Sequence, residues 1–101
     1  MTARLGLPEL SVKLDREILS LSECAIHVEG FPSKDLTIIA ILATVGQLGN
    51  EGLQDLIAPA KASLASLRAW VFRSTVREQE VYGTHLDEMA NLLDEIEGLL
   101  P

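Results

Sequence analysis

Aromatic side chains make up only 4% of the 101 residues. The core must therefore be built from Leu, Ile, Val and Ala, a set that favours helix over strand once Ile and Val are set aside. Cysteine is represented once, by Cys24. One thiol rules out an internal disulfide and any multi-cysteine zinc or iron–sulfur site, and it fits a reducing, cytoplasmic setting. Proline is scarce, at four residues, and an apolar fraction of 48% with 23% charged residues is too hydrophobic for a disordered chain. No apolar run reaches membrane length: the longest, Leu36 to Leu48, is thirteen residues and is interrupted by Thr37, Thr44 and Gln47, against about twenty for a span. The stretch before Pro8 has one charge, Arg4, and no apolar segment of signal-peptide length, so secretion is not expected. A phosphate-binding loop is missing too, since Gly46-Gln-Leu-Gly49 lacks the Lys-Ser/Thr pair and the strand such a loop needs.

What is present is helical periodicity over one domain, residues 1–101. Leu10, Leu14, Ile18, Leu21, Ala25 and Val28 recur in three- and four-residue steps and predict a helix over Pro8 to Val28, ended by Gly30-Phe31-Pro32. Ser33 reads as the N-cap of a second helix, with Asp35 in its first turn, running to about Leu48 and closed by Gly49-Asn50. Its apolar residues occupy nearly every direction around the axis, so it is expected to lack a solvent face. Ile38, Ile41, Leu42 and Val45 are accordingly the candidates for self-association, giving a homodimer. Asn50 reads as the cap of a third helix with the stripe Leu53, Leu56, Ile57, Ala60, Leu64, Leu67 and Val71; Pro59 either kinks it or marks its true start. The last stripe is Tyr82, Leu86, Met89, Leu93, Ile96 and Leu100.

The joint before that last helix has two candidate breaks. Thr75-Val-Arg-Glu78 has the pattern of a capping box, and Gly83-Thr84 followed by Asp87 offers a C-cap and an N-cap in succession. The capping box is the preferred break. The expected fold is all-α, an antiparallel helical bundle of four helices, with three helices and one long C-terminal helix as the alternative.

Charge is distributed unevenly. All eight basic residues lie at or before Arg77 and are balanced there by eight acids; from Glu78 onward there are seven acids and no Lys or Arg. An acidic helix face repels nucleic acid and anionic membranes and attracts basic protein surfaces. Glu80, Asp87, Glu88, Asp94 and Glu95 are the candidate partner-binding residues. Trp70 joins them as a candidate anchor, because Trp70 and Phe72 are two positions apart and cannot both lie on the Leu64, Leu67, Val71 stripe.

Catalytic chemistry finds little support. Cys24 is flanked by Leu21, Ala25 and Val28 and reads as a buried structural thiol. His27 lies four residues after Glu23, and His85 three before Glu88, so each offers a carboxylate neighbour. A bundle metal site, however, needs inward carboxylates from all four helices, and no metal or other cofactor is expected. The expected function is a non-enzymatic protein-binding module that regulates, inhibits or chaperones a more basic partner. The alternatives are a histidine phosphotransfer domain centred on His85, although Leu86-Asp87-Glu88 would repel an incoming phosphate, and a purely self-assembling structural subunit.

Overall fold

The computed structural model describes residues 6–25, 28–49 and 51–100. They form four helices, α1 (Leu7–Ala25), α2 (Ser33–Leu48), α3 (Gln54–Phe72) and α4 (Val76–Leu99), with no strand among the described residues. α1 packs on α2 and α4, and α3 packs on the same two, so α1 and α3 lie across one diagonal and α2 and α4 across the other. Neighbours run antiparallel. Lys61 of α3 meets Glu97 of α4 while Arg68 meets Asp87, and the short connections permit no other direction.

The predicted stripes become the core. Leu10, Leu14, Ile18, Leu21 and Ala25 of α1 are buried, as are Ile57, Ala60, Leu64, Leu67 and Val71 of α3 and Tyr82, Leu86, Met89, Leu93 and Ile96 of α4. Val28 is half-buried in the turn beyond α1, and Leu56 and Leu100 pack at the margin of the core. α1 and α2 approach closely at Ser11 and Gly46, where a Cβ on residue 46 would collide with the Ser11 hydroxyl. The Ser11 Oγ is fully buried and has no hydrogen-bond partner among the described residues.

Several boundaries differ from those read in the sequence. Pro32, not Ser33, caps α2: its carbonyl accepts the amides of Asp35 and Leu36 at 3.1 and 3.4 Å, and no side chain caps the helix. The expected cap Asn50 lies outside the described residues; α3 starts later, at Gln54, with Leu53 as its N-cap after a turn in which Gly52 has φ 77°. α3 is a single helix through Pro59. The break before α4 falls at Ser74-Thr75, and both halves of the capping box are present: Glu78 N–H donates to Thr75 Oγ1 and Thr75 N–H donates to Glu78 Oε2, each at 3.2 Å. Gly83-Thr84 interrupts nothing.

α2 has an outer face after all. Lys34, Thr37, Ile41, Thr44 and Leu48 are exposed, whereas Leu42 is completely buried and Ile38 and Val45 are half-buried. Of the four residues expected to form a self-association face, Ile41 alone is exposed. The letters concealed this because Thr37 and Thr44 donate their hydroxyls to the carbonyls of Ser33 and Ala40 at 2.9 Å, so two polar residues serve as the solvent side of an apolar helix.

Candidate functional site

α4 is positioned by its capping box at one end and its buried stripe along its length, and its remaining arc carries the acids. Glu80, Asp87, Glu88, Asp94 and Glu95 are all exposed. Their surroundings differ. On the α3 side Asp87 accepts a hydrogen bond from Arg68 at 3.1 Å, and Asp94 lies 3.8 Å from Lys61, which also bonds Glu97 at 2.5 Å. The hydrogen bond that Lys61 donates to Glu97, with the charges of Glu97 and Asp94, outweighs the desolvation of Lys61 and raises its ammonium above the ordinary lysine value. The acidic face is thus relieved along one edge, which sequence counting missed because the cations come from a neighbouring helix. Exposed pairs of this kind add little to stability.

On the α1 side Glu88 shares a surface groove of about 210 Å³ with Lys13, Arg16, Glu17 and Leu92. Glu80 and Glu95 have no ion-pair partner among the described residues, and neither has Glu88 within salt-bridge distance. These three carboxylates, spaced eight and seven residues apart, are the acids of the arc that form no ion pair among the described residues, with Glu88 alone of the three sharing a groove with cations.

His85 also differs from expectation. Its Nδ1 lies 2.6 Å from Oε1 of Glu17 on α1, rather than beside Glu88 on its own helix, and both side chains are about three-quarters buried. The imidazole therefore meets a carboxylate from the neighbouring helix and ties α1 to α4. His27, the other histidine considered, lies outside the described residues. Among the described residues no group of three or more His, Cys, Asp or Glu is arranged to hold a metal ion. Cys24 is exposed, not buried. It precedes Ala25 by one residue, which is ~100° of turn, and that step carries it off the core stripe toward a shallow depression shared with Arg77, Glu78, Val81 and Tyr82.

The aromatic residues sort themselves at the end of the bundle where α3 passes into α4. Trp70 is half-buried between Phe31, edge-on at 5.3 Å, and Tyr82, stacked at 5.7 Å. The Tyr82 hydroxyl donates to the Cys24 carbonyl at 3.3 Å. Burial, helped by the negative charge of Glu78, raises the Tyr82 phenol above its ordinary range. Trp70 is thus a lid on the core, and the exposed ring is Phe72, which is 80% accessible at the end of α3. Sequence spacing separated the two aromatics but could not say which faced inward, since Phe31 and Tyr82, which hold Trp70, come from other parts of the chain.

No protein-family model, curated protein or solved structure matches the chain. Among the described residues no helix is long and apolar enough to cross a membrane.

Proposed function

We propose that the protein is a non-enzymatic protein-binding module, a regulator, inhibitor or chaperone that engages a basic protein partner through the outer arc of α4. The observation that carries this reading is the row Glu80, Glu88 and Glu95: exposed carboxylates without an ion-pair partner among the described residues, on a chain whose whole charge excess, from a net −7, falls after residue 77. Such a row raises the local concentration of a cationic surface and sets association rate and register, while apolar contact holds the complex. Phe72, the last residue of α3, and Val76, the first of α4, supply exposed apolar surface of the kind interfaces bury, and an exposed phenyl ring is a natural anchor.

The test is capture from native cytosol on the immobilised protein, run in parallel with a Glu80→Lys, Glu88→Lys, Glu95→Lys variant and with Phe72→Ala. The reading expects one or more basic proteins retained by the wild-type chain, lost on the charge-reversed variant and reduced on Phe72→Ala. Equal retention by all three overturns it.

A further inference from the structure

The packing of α3 on α4 shows how this chain docks a helix that carries cations. Lys61 and Arg68, seven residues apart on α3, meet Asp94 and Asp87, seven residues apart on α4, in antiparallel order. Seven residues are about two turns, or about 10.5 Å along either axis, so the two rows stay in register. Glu88 and Glu95 repeat the pattern one residue on. They are displaced from Asp87 and Asp94 by ~100° around the axis and about 1.5 Å along it, are exposed, and form no ion pair among the described residues. Glu80 continues the row toward the head of α4, with the exposed, uncharged Thr84 and Asn91 between the glutamates, so that Glu80, Thr84, Glu88, Asn91 and Glu95 follow one another in three- and four-residue steps. Such steps make the stripe against which a second helix packs. Val81 and Leu99, both exposed apolar residues, flank it near its two ends. Cations bound the stripe on both sides: Lys61 and Arg68 on α3, and Lys13 and Arg16 of α1 in the groove they share with Glu88.

We infer that the occupant of this stripe is a single basic α-helix of the partner protein, laid along α4 with Lys or Arg residues two turns apart set against Glu88 and Glu95, as Lys61 and Arg68 are set against Asp94 and Asp87. This rests on the reading of α4 as the binding surface and adds the shape of what binds there. Spacing selects a helix. Side chains on one face of an extended segment recur about every 6.6 Å, out of step with carboxylates about 10.5 Å apart, whereas same-face residues of a helix recur at that interval. Width selects one helix rather than a broad basic surface. A flat basic face covering α4 and its neighbours would be pressed against Lys13, Arg16, Lys61 and Arg68, while a helix about 10 Å across lies over the glutamates with those cations at its edges. The same four cations keep it over α4, because like charge on either side penalises sideways displacement.

The experiment is fluorescence anisotropy of the full chain with labelled synthetic peptides at low ionic strength. In the first peptide, an alanine- and glutamine-rich helix, lysines occupy two adjacent rows, each repeating every seven residues. In the second the same lysines are spread around the helix, and the third is the first with prolines on its far face, which prevent helix formation. The first is expected to bind about tenfold more tightly than either of the others. A Glu88→Gln, Glu95→Gln variant is expected to lose that preference. An Asp87→Asn, Asp94→Asn variant, whose missing carboxylates α3 already engages, is expected to keep it. Both variants should retain the helical circular dichroism of the wild-type chain, since exposed pairs add little to stability. Equal binding of the three peptides, binding of none, a preference that survives the Glu88–Glu95 variant or one that is lost in the Asp87–Asp94 variant each overturns the inference. Retention of basic proteins from cytosol that is lost on charge reversal, without preference for the first peptide, removes the helix and leaves the reading of α4 standing.

Discussion

Ser11 and Gly46 show how a single close contact constrains two helices. Gly→Ala in a helix interior ordinarily gains up to about 1 kcal/mol, but here the added methyl meets the Ser11 hydroxyl and overpacking costs about 1–3 kcal/mol. Gly46→Ala is therefore expected to lower the denaturation midpoint, and Ser11→Gly in the same chain to restore part of it. Ser11→Ala removes a buried hydroxyl that has no partner among the described residues and places a better helix former in α1. It should stabilise by about 1 kcal/mol, read by urea denaturation. Tyr82 gives a signed pH dependence. The folded chain holds the phenolic proton more tightly than the unfolded chain, whose value is 10.0. The stabilising contribution is thus complete below that value and is lost as pH rises through the higher folded one. Tyr82→Phe should flatten the fall in stability between neutral pH and about pH 11, while costing about 1 kcal/mol at neutral pH from the lost bond to Cys24. Neither Ser11–Gly46 nor Glu17–His85 could be read from sequence, because each joins residues far apart in the chain and leaves no periodic trace.

At the scale of the helix, legibility follows how local the signal is. α1 and α4 announced themselves because a repeating three-and-four spacing is a property of a dozen consecutive residues. The start of α4 was legible for the same reason: Thr75 and Glu78 satisfy each other's free amides within one turn. Thr75→Ala should cost about 1 kcal/mol, and for a chain of this size that lowers the melting temperature by about 4–8 °C. The solvent face of α2 and the start of α3 were misread where the deciding interaction departs from the usual pattern. Threonine hydroxyls turned onto their own helix are invisible to a hydropathy count, and Pro32 caps α2 with its carbonyl rather than with a side chain. The acidic row was found, but its division into paired and unpaired members required α3 and α1 to be in place.

The whole molecule separates two kinds of surface. The outer arc of α4 carries exposed carboxylates, whereas α2, diagonally across the bundle, has no charged residue from Leu36 to Leu48. Deleting residues after Met89 would remove Leu92, Leu93 and Ile96 from the core and should abolish cooperative unfolding rather than tune binding. The acidic row, by contrast, is surface chemistry, and the measurement that tests it most directly is the association rate of a captured basic partner as a function of salt. For the wild-type chain the rate should be fast at low ionic strength and fall steeply as salt screens the row. With Glu80, Glu88 and Glu95 reversed to Lys it should be about tenfold slower or more at low salt, with the melting curve unchanged. An association rate that is the same for both chains at low ionic strength would contradict the account.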